Sequence, residues 1–339
     1  MPKVIADNER LKHRYLGYLK DAKGRDEATL DKVAAALTTF EAAVGGRDFK
    51  RFHRDWGERF KSHLGKARNR RTGKPLSTST VDATLAYVKG FVLWLADQPG
   101  YKSRVGYSDA EYFNNAAKAS RVAHARRDIP YPSLAQCLHA FGAMPDGDVF
   151  EKRDKALFAF LMLTGARIGA AATLRLKHIN LFDGHVFQDA REVATKNAKT
   201  IDTWFLPVDP LYRACFEQWV RHLREVALFS DTDPLFPKPV IGLRDGMFAR
   251  SGMSREFYAQ SGPLNAVIRS AFSRAHLPAF TPHTFRKTLA RYGDEICQTR
   301  EQFKAWSLNL GHENTATTID SYIPVTRERQ AELLRALNC

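Results

Sequence analysis

The stretch ARRDIPYPSL, residues 125–134, constrains the fold more than any other feature, because it stops helical structure on both sides. Its two prolines cannot continue a helix and disfavour helical backbone in the residues that precede them. A chain of 339 residues is also long for a single hydrophobic core. The sequence therefore predicts two domains, residues 1–124 and 133–339, joined by a linker at 125–132.

Both domains are predicted to be mainly helical, since apolar residues recur at helical spacing. Segment 77–98 opens with serines and threonines, which are typical N-caps. HVFQDAREVATK and TIDTWFLPV, over 185–207, are rich in β-forming residues around Asn197-Ala198 and predict a small sheet or hairpin. The Pro- and Gly-rich segment 233–252 predicts a loop. The helices are predicted at 8–22, 27–44, 77–98, 109–123, 133–143, 151–164, 210–228, 263–276, 283–297 and 326–337.

The excess positive charge lies almost entirely in the first domain. The whole chain has a formal net charge of +15 at pH 7. Residues 1–127 hold 26 basic and 14 acidic residues, whereas residues 128–339 hold 26 and 23. Such asymmetry is typical of a segment that covers nucleic-acid phosphates. The alternatives are a merely soluble basic domain or one that touches an anionic membrane, but no basic amphipathic helix with an aromatic face favours the membrane.

One segment concentrates this charge. KARNRRTGK, residues 66–74, carries five basic residues in nine and is too polar for a core. It is either a solvated loop or a loop that follows DNA phosphates, and the surrounding charge favours the second interpretation. The candidate DNA-binding residues are Lys66, Arg68, Arg70, Arg71 and Lys74.

Cysteine usage and hydropathy point to a reducing compartment. The four cysteines have no paired spacing, so neither a zinc site nor a disulfide framework is predicted. No apolar run approaches the ~18–20 residues that cross a membrane, and the N-terminus lacks the apolar stretch of a secretory signal. We therefore expect a cytoplasmic, nucleoid-associated protein without a membrane partner.

Four short stretches each carry a side chain that can act on a phosphodiester. In TPHTFRKTLARYG, residues 281–293, Thr281-Pro282 fits the start of a helix, so His283 and Arg286 fall on one face at the helix N-terminus, where anions bind. Taken alone, the stretch with Arg167 also fits a surface arginine, the stretch with Lys196 a polar turn, and the stretch with Tyr322 a core tyrosine. The other three are LTGARIGAAATLRLKHI (163–179) with Arg167, ATKNAKT (194–200) with Lys196 and Lys199, and LGHENTATTIDSYIP (310–324) with His312 and Tyr322.

Together these side chains supply the groups needed for one reaction, the cleavage of a phosphodiester. Two arginines can clamp the non-bridging oxygens of a phosphodiester and neutralise charge as it forms. Histidines can donate hydrogen bonds or carry protons, and a tyrosine hydroxyl can attack phosphorus to form a covalent intermediate. A lysine can protonate the leaving oxygen. This chemistry requires no carboxylate cluster, metal or other cofactor.

The order Arg167, Lys196, His283-x-x-Arg286, Leu310-Gly311-His312 and Tyr322 resembles the active-site signature of the tyrosine recombinases, the phage integrase family. Residues 128–339 resemble its catalytic domain, and 77–98 resembles a helix of its core-binding domain. The resemblance implies a helical core-binding domain and an α+β catalytic domain that form a C-shaped clamp on double-stranded DNA. It also implies strand exchange through a 3′-phosphotyrosyl intermediate, a homo-tetramer on two DNA sites, and accessory DNA-bending proteins as candidate partners, as for an integrase of a mobile element. By the same resemblance Lys196, rather than Lys199, is the general acid.

The sequence departs from the family pattern at three places. Ala170 stands three positions after Arg167, where many members carry an acidic residue, so that role is absent or falls to another carboxylate such as Glu192 or Asp202. Lys287 stands where a histidine is frequent. The gap of ten residues between the histidine and tyrosine of the last stretch is one longer than in many relatives. Since one residue turns a helix by about 100°, a loop or bulge is expected to absorb it.

Other functions stay open. A telomere resolvase or a type IB topoisomerase has similar active-site chemistry, and a catalytically degenerate DNA-binding protein could act in architecture or regulation. Ala170 favours the degenerate alternative, and a covalent protein–DNA adduct would exclude it. The C-terminal segment RERQAELLRAL, residues 327–337, predicts a short apolar face that docks either on a neighbouring protomer or on its own domain.

Overall fold

The computed structural model describes residues 5–70, 72–125, 129–244 and 247–322, together with residues 330, 334 and 335. The chain divides into two compact units, Met1–Asp128 and Ile129–Cys339. None of the described helices is long and apolar enough to cross a membrane.

The first unit is helical. Its core is built from aromatic side chains of several helices, with Phe40, Phe60 and Phe91 fully buried. Side-chain caps set two of the helix starts, since Asp26 accepts from the Thr29 N–H and Ser77 from the Thr80 N–H. The helices are α1 (Ala6–Gly17, continued by a π-turn at Tyr18–Ala22), α2 (Glu27–Ala43), α3 (Asp55–Lys66), α4 (Thr78–Ala96) and α5 (Ala117–His124).

Two features of the first unit differ from the expectation. Helix α3 was not expected from the sequence. The helix expected at 109–123 is divided into a 3-10 turn, Tyr107–Phe113, and α5. Asn114 between them has extended backbone, and its side chain accepts from Lys89 while Asn115 caps the Ala116 N–H. Asparagine competes for backbone hydrogen bonds in this way, which interrupts the helix.

The second unit surrounds helix α7 (Val149–Thr164), whose last nine residues are all buried. A helix that is apolar on every side belongs in a core. A three-stranded antiparallel sheet, β1 (Ile179–Asn180), β2 (His185–Gln188) and β3 (Ile201–Trp204), confirms the sheet expected in 185–207. The other helices are α6 (Leu134–Gly142), α8 (Ile168–Ala171), α9 (Pro210–Arg221, followed by a π-turn at His222–Val226), α10 (Gly262–Arg274), α11 (Pro282–Ile296), α12 (Arg300–Asn309) and α13 (Thr315–Tyr322).

The loop prediction for 233–252 is wrong. Strands β4 (Pro239–Arg244) and β5 (Met247–Met253) pair there as an antiparallel hairpin. Proline is tolerated as the first residue of a strand, and the branched and aromatic residues that follow favour extended backbone. Helices α12 and α13 were also not expected. Of the helix expected at 326–337, only residues 330, 334 and 335 are described, so that prediction lies largely outside the described residues.

Candidate active site

Tyr322 is the last residue of α13 and is 6% exposed. Its ring stacks on the His312 ring, with 5.3 Å between centroids and 16° between planes, and lies 5.8 Å from the His283 ring. Its hydroxyl oxygen is 3.5 Å from Nε of Arg286. The structure therefore brings together four of the six catalytic residues expected from the sequence.

Arg286 is held by backbone carbonyls. It lies on α11, is 2% exposed, and donates from Nη1 to the Gly165 carbonyl and from Nη2 to the Leu310 carbonyl. Its Nη2 is also 2.9 Å from Nε2 of His312. Gly165 ends α7 with a φ of +60°, and a Cβ there would lie 2.5 Å from Leu310 Cδ2. Glycine is needed at this turn, and the turn sets one anchor of the arginine.

The hydrogen bonds of His312 determine its tautomer. A guanidinium can only donate, so Nε2 of His312 accepts from Arg286 and Nδ1 carries the proton. Nδ1 then donates to Thr318 Oγ1 over 2.8 Å. Burial, followed by the positive charges of Arg286, Arg167 and Lys196, lowers the pKa of His312 to about 4. The imidazole is therefore neutral at pH 7.

Arg167 and His283 complete the cluster. Arg167 follows the Gly165 turn and occupies the N-cap position of the short helix α8 without a side-chain capping bond, and burial together with Arg286 lowers its pKa. His283 is exposed in the first turn of α11. Partial burial, then Arg286 and Arg167, lower its pKa, so this ring is also mostly neutral at pH 7. Gly311, with a φ of +72°, leaves room beside this cluster, since a Cβ there would lie 2.8 Å from Ile201 Cδ1.

The two lysines between β2 and β3 have different surroundings. Asn197 and Ala198 have positive φ and turn the chain between them. Lys199 forms an ion pair with Glu313 at 2.5 Å. Lys196 is exposed, makes no ion pair with any described residue, and acts electrostatically on both His283 and His312. Lys196 is therefore the lysine with a free ammonium close to the cluster.

Ala170 is buried, and among the described residues no carboxylate replaces the missing acid. Glu192 binds Lys177 at 2.7 Å and His178 at 2.9 Å, and Asp202 binds His185 at 2.9 Å. Neither makes an ion pair with Arg167 or Arg286, and the same holds for every other carboxylate in the part of the chain described. The suggestion that Glu192 or Asp202 takes over this role is therefore wrong, because both are bound elsewhere.

The other two departures are accommodated locally. Nζ of Lys287 donates to the Ile129 carbonyl over 2.9 Å and lies over the Tyr131 ring, so it packs against the start of the second unit. The spacing from His312 to Tyr322 includes a short non-helical segment, Glu313 and Asn314, before the new helix begins at Thr315.

The basic segment 66–74 is a closed turn on the first unit. Arg68 and Pro75 form an antiparallel bridge, and the Arg68 guanidinium donates to the Gly73 carbonyl over 3.1 Å. Lys66, Arg68, Arg70 and Lys74 are all exposed, whereas Arg71 lies outside the described residues. The described basic side chains are thus presented to solvent on a short, hydrogen-bonded scaffold.

The sequence did not indicate the groups that hold the site together. These are the Gly165 and Leu310 carbonyls, which anchor Arg286, and the buried hydroxyls of Thr318 and Ser307, which lie 2.6 Å apart behind His312. Carbonyls carry no side-chain signal. Thr318 stands four residues before Tyr322, on the same helix face, and that spacing was the one available clue.

Comparison with known proteins gives the fold. No protein-family model matches the sequence, and a search of curated proteins finds no match. Among solved structures, the chain is similar to a lambda integrase dimer bound to a COC′ core site, with 13% identity over 94% of this chain and 96% of that one and a TM-score of 0.63. It is also similar to the Tn1549 transposon integrase in complex with transposon right end DNA, with 14% identity over 97% and 99% and a TM-score of 0.60. The fold expected from the sequence is confirmed: the chain has the fold of the tyrosine recombinases and integrases.

Proposed function

We propose that this protein is a site-specific DNA recombinase that cuts and rejoins strands through a 3′-phosphotyrosyl intermediate. The observation that carries the proposal is the position of Tyr322, whose hydroxyl oxygen is 3.5 Å from Arg286 Nε and whose ring lies beside the rings of His283 and His312. A tyrosine with a purely structural role does not require two nearby arginines. Neither arginine has a carboxylate partner among the described residues, and a phosphodiester would supply the negative charge that balances them.

In the proposed cleavage step the Tyr322 oxygen attacks phosphorus, and the bond from phosphorus to the 5′-oxygen breaks. Arg167 and Arg286 stabilise the charge that develops on the non-bridging oxygens, a contribution that typically reaches ~10²–10³ in rate for one donor. His283 is neutral and beside the tyrosine, so it accepts the hydroxyl proton. Lys196 donates a proton to the leaving 5′-oxygen. Attack by a 5′-hydroxyl on the phosphotyrosine reverses these steps, and the phosphoester energy is conserved.

The partner in this proposal is double-stranded DNA. The first unit carries most of the excess charge, and its exposed residues Lys66, Arg70 and Lys74 are suited to phosphates. Both similar solved structures are complexes of integrases with DNA, which supports the same partner here. Recombination of two duplex sites cuts and rejoins four strands, one tyrosine for each strand. We therefore further propose a homo-tetramer on two duplexes, as in the integration of a mobile element.

The test is the covalent adduct itself. In a suicide substrate, a nick beside the cleavage site lets the short fragment with the released 5′-hydroxyl diffuse away. The phosphotyrosine then has no hydroxyl to reverse the reaction and is trapped. The parent protein should form a protein–DNA adduct that survives denaturation, and Tyr322→Phe should abolish it while duplex affinity stays nearly unchanged, because only the nucleophilic oxygen is lost. An adduct that persists in Tyr322→Phe would assign the nucleophile to another residue.

A second candidate is a DNA-binding protein with a degenerate site, which Ala170 favours. The absence of any adduct in the parent protein, with intact DNA binding, would support it. Resolvase or topoisomerase activity would instead give an adduct together with hairpin-ended products or relaxed supercoils, so the products of the same reaction separate these chemistries from recombination.

A further inference from the structure

One buried hydroxyl near the site has no role in the chemistry proposed above. Thr318 lies on α13 one turn before Tyr322 and is 0% exposed. Its Oγ1 is 2.8 Å from His312 Nδ1 and 2.6 Å from Ser307 Oγ. Among the described residues, Thr318 is therefore the hydrogen-bond partner of His312 Nδ1, and it lies on the helix that carries the tyrosine.

The direction of the hydrogen bonds of His312 follows from the donors present. Arg286 donates to Nε2 of His312, so Nδ1 must donate to Thr318, while either hydroxyl of the Thr318 and Ser307 pair can be the donor between them. The result is a buried chain that runs from Arg286 through His312 and Thr318 to Ser307. His312, inside this chain, donates once and accepts once. A chain satisfied in this way holds one arrangement of its members.

We propose that Thr318 is a positioning residue: its hydroxyl accepts from the Nδ1–H that Arg286 imposes on His312, and so ties the helix of the nucleophile to the ring that contacts Arg286. The inference rests on the proposed roles of Tyr322 and Arg286. In the opposite tautomer, the Nε2–H of His312 would face an N–H of Arg286, donor against donor. That repulsion would move the guanidinium from the Leu310 carbonyl and misalign the phosphate clamp.

The hydroxyl and the methyl group of Thr318 can be separated by substitution. Thr318→Val keeps the shape but leaves the Nδ1–H of His312 without an acceptor, whereas Thr318→Ser keeps the acceptor. Thr315→Val is a matched control on the same helix, because the Thr315 hydroxyl makes no hydrogen bond with a described residue. Asn314, not Thr315, caps the first turn of this helix.

The full-length variants are compared by two measurements. The first is the single-turnover rate of adduct formation on the suicide substrate, with duplex affinity measured in parallel. An unsatisfied buried donor costs ~1–3 kcal/mol, so Thr318→Val should cleave about 10- to 100-fold more slowly with affinity unchanged. Thr318→Ser and Thr315→Val should stay within about three-fold of the parent, since both keep the acceptor for His312.

The second measurement observes the His312 ring directly and does not depend on DNA cleavage. Long-range ¹H–¹⁵N spectra of histidine-labelled protein distinguish the two neutral tautomers, and His312→Gln identifies the signal. The parent protein, Thr318→Ser and Thr315→Val should share the His312 signal of a hydrogen-bonded Nδ1–H, and Thr318→Val should shift it. If Thr318→Val does not fold, as judged by its thermal melt, Thr318→Ala takes its place against Thr318→Ser.

Two results would overturn the proposal: an unchanged His312 signal in Thr318→Val, or equal slowing by Thr318→Ser, which would assign the effect to the methyl group. Failure of the proposed function is a different result. In that case the parent forms no adduct, while the spectra still decide whether Thr318 fixes His312.

Discussion

The imidazole of His312 is neutral because it is buried among cations, and this has a consequence for stability. Its pKa of about 4 is below the value of about 6.5 for an unfolded histidine, so the unfolded chain binds the proton first as the pH falls. The free energy of unfolding should therefore decrease by about 1 kcal/mol between about pH 7 and 5.5 from this group alone. His283, with a pKa lowered in the same direction, adds to the slope.

Urea unfolding across that range checks this prediction. His312→Gln removes the titrating group and should make the dependence on pH shallower by about that amount. Thr315→Val, which removes no titrating group, is the control and should leave the dependence as in the parent. An equal slope in His312→Gln and the parent would contradict a neutral His312.

The lysine that protonates the leaving oxygen can also be identified at this scale. Lys199 is engaged with Glu313, whereas Lys196 is free of ion pairs within the described chain, so we expect Lys196 to be the acid. Lys196→Ala should slow cleavage of normal DNA by ~10²–10⁴. A 5′-bridging phosphorothiolate has a leaving group that needs no proton, so it should restore the rate. Lys199→Ala is the matched variant, and rescue there instead would transfer the role to Lys199.

Among the structural elements, the turn that ends α7 sets the site through one glycine. Gly165 and Gly24 both have a φ of +60°, but only Gly165 has close neighbours for a new Cβ. Gly24→Ala should cost about 1 kcal/mol from backbone strain alone. Gly165→Ala should cost roughly 1–3 kcal/mol more, because Leu310 is buried and its side chain must move.

Thermal melts and cleavage rates together test the glycine comparison. Gly165→Ala shifts the carbonyl that anchors Arg286, so it should slow adduct formation as well as lower the melting temperature. Gly24→Ala lies in the other unit and should leave the cleavage rate unchanged. Equal effects of the two substitutions on both measurements would mean that crowding at Leu310 has no part in the site.

How far the sequence predicts these elements depends on where their hydrogen bonds go. Helices α2 and α4 have apolar faces and capping side chains, so both could be predicted. Helix α13 is a polar, threonine-rich run whose buried hydroxyls bond to α12 and to His312, and no local pattern indicates this. The strands of the β4–β5 hairpin pair with each other despite its proline and glycines, so composition alone was misleading.

The same distinction applies to the candidate site. Residue types in the right order indicated Arg167, His283, Arg286, His312 and Tyr322, and the structure places these in one cluster. The anchors of Arg286 could not be predicted, since both are backbone carbonyls brought close by the Gly165 and Gly311 turns. The consequence of Ala170 was also undetermined until the partners of Glu192 and Asp202 were known.

On the scale of the whole molecule, the uneven charge predicts how DNA affinity depends on salt. Each phosphate neutralised by a basic side chain releases counterions, so the logarithm of the association constant falls with the logarithm of salt concentration by about 0.9 per contact. Arg70 and Lys74 are exposed on the basic turn of the first unit. Replacing both with glutamine should lower the slope by about 1.8, if each contacts one phosphate.

The control variant removes two positive charges from the second unit instead. Lys152 and Lys155 lie near the start of α7, roughly 15–20 Å along the helix from Gly165 and the candidate site. The double substitution Lys152→Gln and Lys155→Gln should leave the slope close to that of the parent. Equal slopes for both double variants would mean that affinity follows net charge rather than contacts of the basic turn. A slope unchanged from the parent in the Arg70 and Lys74 variant would exclude that turn from the DNA interface, because lost phosphate contacts must appear as fewer released counterions.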